Sequence, residues 1–231
     1  MSKYLIEVKK LKKNFDHRNG QIKVFQDVSL GIKAGELVAL VGPSGSGKSS
    51  FLHLLSLLEK PSAGKILLLD KDSKNFNENE KDKIRREKIS IIFQDSNLLS
   101  DFTTVENVLM PLIIRGENYK SSFKKAKNIL KQVNLLERMN HFPSELSGGE
   151  QQRVAIARSI IAETDLVLAD EPTGSLDRNT AGEIFELFLK FKSKKRAIFY
   201  ATHNRDLSSK ADYKLNIIDG NVSMKNEWSQ Q

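Results

Sequence analysis

The chain has 231 residues, 39% of them hydrophobic, which is enough to bury one sizeable core. It contains no cysteine, so disulfide frameworks and thiolate metal sites are excluded and any site chemistry must rest on oxygen, imidazole and amine groups. The formal charge of +8 is carried largely by lysines scattered through polar stretches such as 120–131, which reads first as a solvated surface; no aromatic-interleaved basic patch points to nucleic acid, and attraction to an anionic membrane surface is equally compatible.

Residues 1–8 lack the apolar run of a signal peptide, and the longest apolar stretches, such as 108–114, are too short to span a bilayer. Any membrane role is therefore expected to need a partner. Strands are predicted at 4–9 and 22–30, with turns at Asn19-Gly20 and Ala34-Gly35. Phe15 lies among Lys12, Lys13, Asn14 and Asp16, a polar setting in which its ring is either core or a stacking platform for a base.

The apolar run 37–41 leads into Gly42-Pro43-Ser44-Gly45-Ser46-Gly47-Lys48-Ser49, followed by Ser50 and an apolar helical stretch. This is G-x-x-x-x-G-K-[ST] in the strand, turn and helix context that gives the motif meaning. Glycines let backbone N–H groups curl around a phosphate, and the helix start at about Ser49 adds a positive dipole end. Lys48 would reach the β- and γ-phosphates, and the Ser49 hydroxyl would ligate Mg²⁺ on them. The chain is expected to bind a nucleoside triphosphate.

Next come a turn at 61–64, a strand at 65–69, a polar loop at 72–82 with a helix beyond, and a buried strand at 89–93 that ends at Gln94, a turn residue or a ligand carrier. From Asp95 to Ile161 the pattern is helical. Thr103 to Glu106 form a capping box, Pro111 is expected to kink or end the helix it starts, and Phe123, Ala126, Leu130 and Val133 mark an amphipathic helix over 121–133. Leu98, Leu99, Phe102, Val105, Val108, Leu109 and Met110 exceed what one helix face needs; they fill a local core, or some of them form an exposed docking patch.

The strand Leu166-Val167-Leu168-Ala169-Asp170-Glu171 ends in two carboxylates, where ligands of open α/β sheets sit. One acid could hold Mg²⁺ and the other orient or deprotonate a water; the bland alternative is that they cap the next helix, for which Thr180 to Glu183 offer a better start. That helix would present Ile184, Leu187, Phe188 and Phe191. A last strand, 197–201, runs into Thr202-His203, and His203 is the histidine placed at a strand end; His17, His53 and His141 are read as structural. Asp219-Gly220 reads as a hairpin turn.

The most specific stretch is Leu146-Ser147-Gly148-Gly149-Glu150-Gln151-Gln152-Arg153, a second glycine-and-serine helix start and so a second anion site. With the glycine loop before it and the Asp-Glu strand after it, the chain resembles the ATP-binding cassette family over nearly its whole length. The resemblance implies an α/β P-loop NTPase core with an N-terminal antiparallel β subdomain (core and β subdomain 1–94 and 162–231) and an inserted α-helical subdomain (95–161). It implies ATP and Mg²⁺ as ligands, Phe15 as the adenine-stacking aromatic without the frequent tyrosine hydroxyl, and Gln94 as the sensor of Mg²⁺ and γ-phosphate. It further implies Asp170 as the Mg²⁺-associated acid, Glu171 as catalytic base and His203 as the switch histidine, here followed by Asn204 where aspartate is frequent. Ser147, Gly148, Gly149 and Glu150, with Asp177 of the interface loop, would meet ATP on the opposite subunit of an ATP-bound homodimer.

Integral membrane transporter subunits would be the partners, at the cytoplasmic face of a bacterial inner membrane. Within the family, 101–112 and 143–147 are similar to the ATPases of lipoprotein-releasing systems, with cell-division and macrolide-export ATPases alike over the same segments. ATPases of DNA maintenance share the nucleotide motifs, but long coiled coils or zinc modules interrupt them; the compact spacing and absent cysteines here argue against that class.

Overall fold

The computed structural model describes residues 4–17, 20–218 and 220–224; Asn19 and Asp219, each half of an expected turn, lie outside the described residues. Two long strands open the chain, β1 (Ile6–His17) and β2 (Gly20–Ile32), well beyond the expected 4–9 and 22–30. They extend, β1 through its lysine-rich second half, because β1 pairs along its length with β2, from Ile6 opposite Ile32 to His17 opposite Gly20. β3 (Leu37–Val41) and α1 (Lys48–Leu55) flank the glycine loop. β4 (Ala63–Leu68) absorbs Ala63 and Gly64, expected in a turn, and short β5 (Lys71–Asp72) completes an antiparallel sheet of order β2-β1-β4-β5.

α2 (Glu78–Lys88) leads into β6 (Ile89–Ile92), and then α3 (Thr104–Ile114), α4 (Tyr119–Gln132) and α5 (Gly148–Ile161) follow before the next strand. The Thr103 and Glu106 capping box starts α3, but Pro111 does not end it. Val108 and Leu112, on either side of the proline, are buried at 0% and 2% exposure, and that packing outweighs one lost backbone bond.

The chain then lays down β7 (Leu166–Asp170), α6 (Arg178–Leu189), β8 (Ala197–Thr202), the short α7 (Arg205–Ser208), β9 (Tyr213–Ile218) and β10 (Asn221–Met224). Asp177, not Thr180, caps α6, its carboxylate accepting from the N–H groups of Asn179 and Thr180 at 3.1 Å. The second sheet has the order β10-β9-β3-β8-β7-β6, parallel except for β10. Its central strands are buried on both faces, which is why they read as unbroken apolar runs rather than alternating ones.

One core lies between the two sheets around α1, where the Phe51 ring meets Phe25 edge-on at 5.5 Å. A second covers the other face of the parallel sheet with Ile156 and Ile160 of α5 and Ile184, Phe185 and Phe188 of α6. A third binds α3, α4 and α5 together through Val105, Val108, Leu112, Leu130, Val154 and Ala157, and reaches Leu187 of α6. The fold is α/β, with the glycine loop at the carboxyl end of β3, beside the ends of β8 and β7.

Candidate active site

The glycine loop is shaped by contacts that only glycine permits. Gly47 caps α1 with φ +97°, and a Cβ there would stand 2.4 Å from Val24 Cγ1 of β2. A Cβ at Gly42 would meet Ile217 and the Ser46 hydroxyl at 2.6 Å. The loop is thus pressed between β2 and β9, leaving its outer side, Pro43 to Gly45, exposed. Lys48 is 7% exposed; its ammonium donates to the carbonyls of Gly42 and Pro43 at 2.9 and 3.0 Å and stands 3.4 Å from Glu171 Oε1. That charge is held across the mouth of the loop, where a phosphate chain would meet it. Ser44, Gly45 and Ser49 are exposed, and Ser46 and Ser50 are half-buried.

The carboxylates at the end of β7 face this lysine. Glu171 is 9% exposed and sits at φ +44°, a strained conformation for a residue with a side chain, pinned by its N–H donating to Ala201 O at 3.1 Å. Its Oε2 lies 3.0 Å from His203 Nδ1, so the two oxygens of one carboxylate are divided between Lys48 and His203. Burial pushes the Asp170 carboxyl above its ordinary value, against a hydrogen bond from the Ser49 hydroxyl and with the Glu171 charge adding to the rise. Neither acid caps a helix.

Asp170 Oδ1 and Ser46 Oγ are buried without a hydrogen-bond partner among the described residues. A carboxylate in that condition, joined to the Ser49 hydroxyl, is a donor set suited to a hard divalent cation. Among the described residues no cluster of three or more His, Cys, Asp or Glu could cage a metal. Mg²⁺ takes one or two protein ligands and completes its shell from phosphates and water, so the Asp170 carboxylate with the Ser49 hydroxyl would suit it.

Gln94 is exposed beyond β6, near the Glu171 turn: a Cβ at Gly174 would meet Glu171 Cβ at 3.2 Å and Gln94 Cδ at 3.7 Å. Ser147, by contrast, caps α5 on an exposed surface, its hydroxyl donating to Glu150 Oε2 at 2.8 Å; no hydrogen bond or ion pair among the described residues joins it to the glycine loop. The hydrogen bonds from Ser147 hold the Glu150 carboxyl below its ordinary value, with Arg138 at 3.2 Å assisting. Gly148 lies near Leu176, and a Cβ at Gly149 would press on Thr180 at 2.9 Å, so this helix start is packed beside the loop that carries Asp177. Asp177 is exposed and serves in its own chain as the α6 cap.

α5 is wired to the stretch after β6 by bonds that sequence reasoning missed. Arg158 donates to Ser96 O and Asn97 O, both at 2.8 Å; Ser96 Oγ donates to Gln151 Oε1 at 3.2 Å, and Gln152 reaches Phe93 O at 3.5 Å. Asn107, fully buried, clamps the next turn: its Oδ1 accepts from Leu99 N at 2.8 Å and its amide donates to the carbonyls of Leu99, Phe102 and Thr103. A polar residue on the apolar face of α3 was the signal available for it. Phe15 is 39% exposed, which removes the core alternative; it pairs across the strands with exposed Ile22, and Lys13 Nζ lies 4.5 Å from its ring centre. Asn204 caps α7, its Oδ1 accepting from Asp206 and Leu207 N–H groups, with no hydrogen bond to His203. His53 pairs with Glu59 at 3.3 Å.

Residues 25–174 match the ABC transporter family, and the chain belongs to it: it is an ATP-binding, ATP-hydrolysing protein of that class. Its similarity to particular members is close to end-to-end. It is 44% identical to the lipoprotein-releasing system ATP-binding protein LolD of Rickettsia bellii over 93% of this chain and 96% of that protein. To the LolD protein of Legionella pneumophila (strain Paris) it is 40% identical over 96% and 98% of the two chains. A solved dimeric ATP-binding cassette in a post-hydrolysis state, bound to ADP and Pi, superposes with a TM-score of 0.88 at 34% identity, over 95% of this chain and 97% of that one.

Proposed function

We propose that this chain is the ATPase subunit of a transporter that releases lipoproteins from a bacterial inner membrane, acting on integral membrane partner subunits from the cytoplasmic face. The observation that carries this reading is the near full-length similarity to LolD proteins, supported by the grouping of Lys48, Glu171 and His203 beside the glycine loop. No helix among the described residues is long and apolar enough to cross a membrane.

In this reading the backbone of Gly42 to Ser50 wraps the phosphates and Lys48 neutralises their β/γ charge. Phe15 stacks on the adenine, with Ile22 widening the platform. Ser49, Asp170 and Gln94 would hold Mg²⁺, which supplies charge neutralisation on the phosphate oxygens. Glu171 orients the attacking water and takes its proton; the Lys48 and His203 contacts fix both of its oxygens, and in this reading His203 follows the γ-phosphate. Ser147, Gly148 and Asp177 are exposed, Gly149 and Glu150 half-buried, and no hydrogen bond or ion pair among the described residues joins Ser147 to the glycine loop; these residues complete the site on a second copy of the chain, giving two ATP molecules between two subunits. Loss of the γ-phosphate would then be felt at Gln94, and through Ser96, Asn97 and Arg158 along α5.

The expected docking patch divides by burial into three groups. Val105, Val108 and Leu109 are core, Leu98 and Met110 are half-buried, while Leu99 and Phe102 stay 42% and 38% exposed beside the Gln94 stretch. These two are proposed to seat a cytoplasmic segment of the membrane partner. Leu99→Glu with Phe102→Glu should leave the purified chain folded and its basal ATP hydrolysis intact, yet abolish copurification with membrane subunits. In proteoliposomes the wild-type assembly should release lipoprotein to a soluble acceptor only with hydrolysable ATP. Hydrolysis without lipoprotein release in that assay would reject the transport reading and leave the ATPase assignment standing.

A further inference from the structure

α4 carries a feature that nucleotide chemistry does not use. Lys120, Lys124, Lys127 and Lys131 are spaced so that they fall within about 60° of arc on one helix face, over a length of about 16 Å. All four are exposed, and α4 contains no Asp or Glu. Among the described residues none of the four has a salt-bridge partner, whereas Lys125, off the stripe, is paired with Glu117 at 2.7 Å. The opposite face, Ser122, Ala126 and Leu130, is buried against α3 and α5, so the stripe cannot turn inward. At its amino end, the corner between α3 and α4 exposes two large side chains, Ile114 at 61% and Tyr119 at 54%.

We infer that this face of α4 is a docking surface for an anionic lipid bilayer. A row of unneutralised ammonium groups repels itself, and that cost is relieved by a surface of opposite charge. The corner adds what a bilayer interface accepts and a phosphate backbone does not: an exposed isoleucine, and a tyrosine with an apolar ring and a polar tip. Long lysine stems let the charges reach headgroups while the helix lies along the surface. Nucleic acid would be better met by guanidinium forks and stacking rings among the charges, and α4 has no arginine. The inference needs neither the partner subunits nor the lipoprotein reading, since the purified chain alone should show it.

The test is cosedimentation of the full chain with vesicles of phosphatidylcholine alone or mixed with phosphatidylglycerol. Binding should require the anionic lipid and weaken as salt is raised. The variant Lys120→Gln, Lys124→Gln, Lys127→Gln, Lys131→Gln should lose affinity about a hundredfold or more, since each lysine near such a surface is worth about fivefold. A control with the same change of charge on exposed lysines elsewhere, Lys60→Gln, Lys74→Gln, Lys194→Gln, Lys195→Gln, should lose only a few-fold. Ile114→Ser with Tyr119→Ser should remove the part of binding that survives high salt. Unaltered thermal melting and ATP hydrolysis in the α4 variant would show that folding is not the cause. Three outcomes overturn the proposal: no preference for anionic vesicles, an equal loss in the control, or tighter binding to a duplex oligonucleotide that the α4 variant loses.

Discussion

Exchanging Glu171 for glutamine isolates the chemical step from binding. The amide keeps the size of the side chain and an oxygen to accept from Lys48 or His203, at present 3.4 and 3.0 Å away, so the strained turn at Glu171 and the glycine loop should hold their shape. It cannot accept a proton from water. A positioned general base contributes about 10²- to 10⁴-fold, equivalent to about 3–5 kcal/mol of barrier, so phosphate release should fall by at least about a hundredfold. Affinity for ATP should change by no more than a few-fold, because Lys48 retains its carbonyl contacts with Gly42 and Pro43. Uncleaved ATP should then hold two chains together through Ser147 to Glu150, and sedimentation with Mg-ATP should show a dimer that Ser147→Arg disrupts. Single-turnover phosphate release above one-tenth of the wild-type rate would refute Glu171 as the base. A monomer at saturating ATP would refute the sharing of the site between two chains.

Lys48→Ala should weaken ATP binding about a hundredfold or more, read by equilibrium titration, since it removes charge-assisted contacts to two phosphates and leaves Glu171 without its ammonium neighbour. Asn107→Ala removes four hydrogen bonds and leaves buried backbone groups unpaired, so denaturant unfolding should show a loss of about 3–4 kcal/mol; a loss under about 1 kcal/mol would mean the 99–103 turn does not depend on it. Hydrogen bonds from Thr180, then its backbone, hold the Asp177 carboxyl below the ordinary 3.8. A lowered folded value means that its stabilisation is complete above about pH 4 and fades as the pH falls through that folded value. Asp177→Asn, which still caps α6, should therefore flatten the acid limb of thermal melting while leaving the neutral limb nearly unchanged.

The sequence by itself determined the chemistry. Gly42 to Ser49, Ser147 to Glu150 and the Asp170-Glu171 pair are each stretches of neighbouring residues, with a Cβ striking a neighbour at Gly42, Gly47 and Gly149, so their local patterns are legible without the fold. The strand runs 37–41, 89–93 and 166–171 were legible for a related reason: burial on both faces leaves no alternation to obscure them. Tertiary structure alone decided what depends on distant partners. The reach of β1 and β2 came from pairing rather than from their polar ends. Phe15 gave core and stacking equally in sequence, and its exposure followed only from where the paired ends of β1 and β2 lie. The division of one Glu171 carboxylate between Lys48 and His203 joins the ends of three regions far apart in sequence, and so do the bonds from Arg158 to Ser96 and Asn97. Such contacts depend on how the parallel strands are ordered, and no local spacing encodes that order.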